Sequence, residues 1–116
     1  VLGQTDFVTG SEFPYKPQTS MSLRFPYAIA VGERGRMVVG DTANNRVLLW
    51  DQMPETSTAP ADHVLGQPSF ATNGENRWDL VAPDTFCWPY GLSLHGSRLA
   101  VTDSGNNRVM IWELDR

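Results

Sequence analysis

Two pairs of oppositely charged residues recur at the same spacing. Asp41 lies five residues before Arg46, and Asp103 lies five residues before Arg108. A carboxylate and a guanidinium can bind a charged substrate together, or they can form an ion pair that fixes a turn. Because each copy carries the same set, and a substrate site seldom needs to recur in every structural unit, we interpret these pairs as structural.

The other residues with reactive side chains form no pattern. His63 and His95 stand in unrelated contexts and lack the spacing of metal ligands, and the one cysteine, Cys87, has no histidine near it in sequence. The chain has no Ser-His-Asp order, no paired catalytic carboxylates and no glycine-rich phosphate loop. We therefore assign no catalytic residue, no metal site and no cofactor.

An internal repeat explains why the charged pairs recur. Val-Leu-Gly-Gln occurs at residues 1–4 and again at 64–67, and each copy leads through Pro-Tyr to Asn-Asn-Arg-Val and a Trp. The offset is 63 residues at the start of the repeat, from Val1 to Val64, and 62 at its end, from Trp50 to Trp112. The chain divides into copies at about 1–63 and 64–116. Such a repeat is typical of an architecture built from stacked units.

Short runs rich in β-branched and aromatic residues lie between these repeated motifs, and they predict strands. The predicted strands are 28–31, 37–39 and 47–50 in the first copy and 92–94, 99–101 and 109–112 in the second, with each Val-Leu-Gly-Gln segment as an outer strand. Glycine and asparagine fill the connections, which favours antiparallel hairpins. Since the third strands do not alternate polar with apolar residues, we expect sheets covered on both faces.

The series Pro-Tyr-(Ala/Gly)-(Ile/Leu), then Asp-(Thr/Ser)-x-Asn-Asn-Arg-Val, resembles the NHL repeat, a blade motif of β-propellers that usually have six blades. The resemblance implies an all-β fold with two four-stranded antiparallel blades per chain. These blades would belong to a six-bladed propeller completed by oligomerisation or by a longer parent chain. A first residue other than Met suggests a fragment or a processed chain.

We sort the repeated residues into two groups by their expected place in a blade. Residues expected to fix the hairpins and the packing between blades are Asp41, Asn45, Arg46, Trp50, Asp103, Asn107, Arg108 and Trp112. Residues expected at the mouth of the central channel, where a ligand would bind, are Phe25, Tyr27, Trp88, Tyr90, Asn44 and Asn106. The topology brings the long segments, the Asn-rich hairpins and the beginnings of the inner strands to one rim, and loops above a rigid ring are where binding usually resides.

The composition of the chain argues against some classes of binding partner. The net charge of −4 and the lack of any Lys or Arg cluster argue against nucleic acid. No apolar run approaches the length of a membrane span, and nothing indicates a compartment.

The leading hypothesis is a non-catalytic propeller module that presents a loop-rich face to a protein or small-molecule ligand. Two alternatives stay open. One is a metal-dependent propeller lyase or hydrolase, and the other is an RNA-binding NHL module, which would need a basic face.

The order of the strands predicts self-association. The chain begins with an outer strand and ends with three inner ones, so the set formed by residues 88–112 lacks an outer strand of its own. The Val1–Gln4 segment of another copy can complete it by strand addition. With two blades per chain and six per ring, we expect a cyclic trimer, with an eight-bladed tetramer as the next closure.

Overall fold

The computed structural model describes residues 1–12 and 17–114. They form mostly β-structure, arranged as two antiparallel sheets. Helical segments among these residues are short 3-10 turns, at Thr42–Asn44, Glu75–Trp78 and Ser104–Asn106. In the described part of the chain, no helix is both long enough and apolar enough to span a membrane. The expected all-β class is therefore confirmed.

The first sheet has four strands in sequence order. They are β1 (Pro26–Val31), β2 (Met37–Asp41), β3 (Arg46–Trp50) and β4 (His63–Leu65). The second Val-Leu-Gly-Gln segment supplies β4, which pairs with β3 and brings Leu65 opposite Val47. This segment is thus the outer strand of the sheet that precedes it in sequence.

The four-stranded second blade that the family resemblance implies is not formed within one chain. As the order of the strands predicts, the second sheet has three strands. They are β5 (Pro89–His95), β6 (Arg98–Asp103) and β7 (Arg108–Glu113). The reason lies in the repeat, since one Val-Leu-Gly-Gln copy is used by the first sheet and the other lies at residues 1–4. Residues 1–4 form no strand but make one parallel bridge, between Gly3 and Ser22.

The Asn-rich hairpins adopt the same backbone path in both repeats. Each begins with a 3-10 turn and ends on an asparagine in the left-handed region, Asn45 at φ 53° and Asn107 at φ 56°. Asparagine tolerates this conformation better than other residues with a side chain. The repeated Asn-Asn pair therefore fixes where β3 and β7 begin.

The two sheets pack face to face over an apolar layer, which we call the inter-sheet core. Its buried members are Val38, Val47, Leu49, Phe86, Leu99 and Val101. The first sheet carries a second layer on its other face, the outer core, whose buried members are Met37, Val39, Leu48, Trp50 and Ala61. Both faces of the first sheet are thus apolar, which explains why β3 does not alternate in polarity.

Candidate functional site

The charged pair of the first repeat is buried inside the hairpin. Asp41 Oδ2 accepts hydrogen bonds from Arg46 Nε at 2.7 Å and Asn44 Nδ2 at 2.8 Å, while Oδ1 accepts one from the Arg24 backbone N–H at 2.6 Å. Both charged side chains are fully buried. Burial raises the pKa of Asp41, and the Arg46 charge and the three donors oppose that rise. The pair links the hairpin to Arg24, two residues before β1, and serves the fold.

The second repeat makes the same contacts around its carboxylate, but its arginine has one hydrogen bond fewer among the described residues. Asp103 Oδ2 accepts from Arg108 Nε at 2.7 Å and from Asn106 Nδ2 at 2.8 Å. Arg46 also donates from Nη1 to the carbonyl oxygen of Phe70, at 2.7 Å, in the segment that joins the two sheets. Arg108 Nη1 has no hydrogen-bond partner among the residues that the structure describes.

The two asparagines expected at the channel mouth lie inside this network. Asn44 is fully buried. Asn106 exchanges hydrogen bonds of 3.0 and 2.7 Å with the side chain of Asn76 and donates another to Asp103. Their polar atoms are therefore used within the protein, so we leave both residues out of the candidate ligand surface.

Three of the four aromatic residues expected at the mouth have rings close to one another, and Phe25 is exposed at the position equivalent to Trp88. We call the four the aromatic cluster: Phe25, Tyr27, Trp88 and Tyr90. The rings of Tyr27 and Tyr90 lie 4.5 Å apart, and those of Trp88 and Tyr90 are stacked at 6.3 Å. Phe25, Tyr27 and Tyr90 are exposed. Equivalent positions of the two repeats thus build one apolar surface across both sheets.

The two tyrosines of the cluster lie where their strands depart from the regular β-pleat, and this departure turns their rings outward. The register of β1 against β2 shifts at Tyr27, and that of β5 against β6 shifts at Tyr90, so each tyrosine lies in a β-bulge. Bulges re-aim a side chain away from the regular pleat. Phe25 and Trp88, each before a proline, have φ of 50° and 55°. Strained backbone of this kind is characteristic of functional sites.

Trp88 is held by two hydrogen bonds. Its backbone N–H donates to Asn45 Oδ1 at 2.8 Å, and its indole Nε1 donates to Glu75 Oε1 at 3.1 Å. Asn45, which we expected to be structural, therefore fixes an aromatic residue of the candidate surface from the neighbouring sheet.

The tryptophans that end β3 and β7 lie in the apolar layers. Trp50 is buried in the outer core and donates from Nε1 to the carbonyl oxygen of Ala59 at 3.1 Å. Trp112 packs against the inter-sheet core, with its ring 5.8 Å from that of Phe86. Both side chains thus contribute to apolar packing on a face of a sheet.

The residues that join the two sheets include two that are not among the site residues predicted from sequence. Gly66, at φ 92°, leaves space for the Phe86 ring, and Gln67 Nε2 donates to the carbonyl oxygens of Asn45 and Gly74, at 3.0 and 2.8 Å. The signal was the repeated Val-Leu-Gly-Gln segment, whose glycine and glutamine have no role within a lone strand.

The remaining ionisable residues form no metal-binding set. His63 pairs with Asp51 at 3.1 Å near the surface, and the described residues contain no group of His, Cys, Asp and Glu able to hold an ion. A cleft of about 710 Å³ lies between the turns at Gly32 and Gly96, at the ends of β1 and β5 opposite to the aromatic cluster. Its charges are mixed in sign and solvent-exposed, so it offers a weaker surface for a ligand than the aromatic cluster.

No protein-family model matches the chain, and no curated protein matches it either.

Proposed function

We propose that this chain is a pair of NHL-type β-propeller blades. Three features support the proposal: the internal repeat, the antiparallel order of strands within each sheet, and the stacking of the sheets face to face over an apolar layer. Propellers are built from such sheets around an axis. The inner strands are then β1 and β5, and the aromatic cluster lies where they begin.

The function that follows is non-catalytic binding at the rim. The observation that carries it is the aromatic cluster, a set of exposed rings from both repeats held by bulges and strained backbone. Exposed aromatic rings on a rigid frame contribute large contact area with little loss of side-chain entropy, and they are enriched at binding sites. We infer that the cluster binds an apolar or aromatic group of a polypeptide partner.

A phage-displayed peptide library selected against the immobilised protein tests this function. Peptides that bind the wild type and lose at least tenfold in affinity to Tyr27→Ala and Tyr90→Ala support it. Trp78→Ala is the control, because Trp78 is an exposed aromatic residue outside the cluster. Selected peptides that bind the tyrosine variants as well as the wild type would refute the assignment.

The same blade interpretation implies assembly. NHL propellers usually have six blades, so a chain with two would close a ring as a trimer, and such closed rings are the common outcome of head-to-tail contacts. Three copies would place three aromatic clusters around one channel.

A further inference from the structure

We propose that the exposed face of the second sheet binds the outer face of the first sheet in another copy of this chain, head to tail. The inference rests on the proposed blade architecture and deepens it by naming the two surfaces. Its basis is that apolar residues covered between the two sheets of one chain have exposed equivalents on the open faces, and that one arginine nitrogen has a partner in the first repeat only, among the described residues.

The exposed face of the second sheet carries apolar residues whose repeat equivalents are buried. Val109 and Ile111 are 60% and 64% exposed. The equivalent residues of the first sheet, Val47 and Leu49, are 0% and 4% exposed because the second sheet covers them. Exposed apolar residues side by side on an edge strand favour association.

The outer face of the first sheet has the complementary apolar residues. Ile29 and Val31 in β1 are 63% and 52% exposed. Their equivalents in β5, Leu92 and Leu94, pack against the inter-sheet core. The outer face of one copy can therefore cover Val109 and Ile111 of another as the second sheet covers Val47 and Leu49.

The N-terminal segment already lies where a fourth strand is needed. Gly3, at φ 89°, packs against Leu23 as Gly66, at φ 92°, packs against Phe86. Further along, the Gln4 side chain donates to Ser11 O at 3.0 Å, as that of Gln67 donates to Gly74 O at 2.8 Å.

Leu2 completes this match, since it packs on the outer core as Leu65 packs on the inter-sheet core. Residues 1–4 thus lie at the position equivalent to that of β4. Among the described residues, however, no strand equivalent to β3 pairs with them. The missing strand is β7 of the neighbouring copy.

The repeat fixes the register of the new pairing. Within the first sheet, Val47 pairs with Leu65 and Leu48 with Val64. The same register places Val109 opposite Leu2 of the neighbouring copy, and Met110 opposite its Val1. The pairing gives β7 a partner along its open edge.

A polar contact made by the first repeat within one chain also has an equivalent between neighbouring copies. The hydrogen bond from Arg46 Nη1 to Phe70 O becomes one from Arg108 Nη1 to the carbonyl oxygen of Phe7 in the neighbouring copy. Phe7 is exposed in the single chain, whereas Phe70 is half-buried. The contact therefore gives a partner to a guanidinium nitrogen that has none among the described residues.

A mixed cross-linking experiment tests this contact. Leu2→Cys and Val109→Cys are made separately, each with Cys87→Ala, then mixed and mildly oxidised. Antiparallel partners lie close enough for a disulfide. The expected product is a mixed dimer in which the two introduced thiols are joined, and neither variant alone forms a dimer. Dimers of a single variant would indicate a symmetric contact, and no cross-link would mean no contact; both overturn the inference.

Ile111→Lys provides the second measurement, with Leu80→Lys as the control because both residues are exposed in the single chain. The Ile111 variant should lower the particle mass measured by light scattering, while the Leu80 variant keeps it. An unchanged mass for Ile111→Lys overturns the inference.

The two experiments distinguish failure of the proposed contact between copies from failure of the proposed aromatic binding surface. Peptide binding through the aromatic cluster without the cross-link refutes the contact alone. The cross-link without peptide binding refutes the aromatic surface alone.

Discussion

The backbone N–H of Trp88 donates a hydrogen bond of 2.8 Å to Oδ1 of Asn45, and this bond joins the second sheet to the hairpin of the first. Both residues have left-handed backbone conformations. The Asn45 side chain also donates to Asn73 O at 2.9 Å. One side chain thereby ties the hairpin to two points of the segment that links the sheets, one within it and one at its end.

We expect Asn45→Gly to lower the free energy of unfolding by about 1–3 kcal/mol, because a partly buried N–H and a carbonyl lose their partner. Glycine adopts the positive φ of this position without strain, so the Asn45→Gly variant measures the loss of the side-chain hydrogen bonds alone. Asn45→Ala should cost about 1 kcal/mol more, since alanine resists that conformation. Urea denaturation measures both variants, and an unchanged midpoint for Asn45→Gly would show that these bonds contribute nothing.

Gly66→Ala should destabilise strongly. An added Cβ would lie 2.3 Å from Phe86 Cδ2 at a position with φ of 92°. Overpacking of this kind typically costs about 1–3 kcal/mol, and the backbone strain adds to it. Gly96→Ala is the matched control, because its φ is 59° and nothing lies near the added Cβ. Equal losses of stability for the two would rule out the contact with Phe86 as the cause.

The buried ion pair should matter more than an exposed one. Asp41→Ala leaves the buried Arg46 charge without its partner, and we expect a loss of about 3–5 kcal/mol. Glu113→Ala, in the exposed pair with Arg98, should change stability by less than about 1 kcal/mol. Chemical denaturation at neutral pH compares them. A smaller loss for Asp41→Ala than for Glu113→Ala would contradict a structural role.

Cys87 should react slowly as a nucleophile. Burial, followed by the negative charges of Glu75 and Asp103, raises the pKa of its thiol. The thiolate is the reactive form, so the pH profile of alkylation by iodoacetamide should shift to higher pH in the folded protein than in urea. Glu75→Gln should move the folded profile part of the way back. A folded profile at or below the pH of the unfolded one contradicts this environment.

Local pattern was enough to predict the first three strands of each sheet, whereas the outer strand predicted at residues 1–4 forms only an isolated bridge. The apolar run Val47–Trp50 lies within β3, and the run 109–112 lies within β7, because β-branched and aromatic residues between Asn-rich turns favour extended backbone. The repeat also predicted that aromatic rings at the beginnings of β1 and β5 lie close together, because equivalent strands of the two copies begin at the same end of their sheets.

Contacts between sheets could not be derived from local pattern. Asn44 looked like a loop residue able to reach a ligand, yet it is fully buried because Asp41 and Gln18 accept its donors. The fit of Gly66 to Phe86 likewise depends on chain segments that meet only after the sheets stack. Such long-range packing has no periodicity along the chain.

The mass of the particle in solution tests the central claim most directly, because blades of a propeller need neighbours on both faces. Light scattering coupled to size exclusion should give three chain masses for the wild type, in a particle that remains intact on dilution. A single chain mass at every concentration would contradict the claim that the two sheets are blades of a ring completed by other copies.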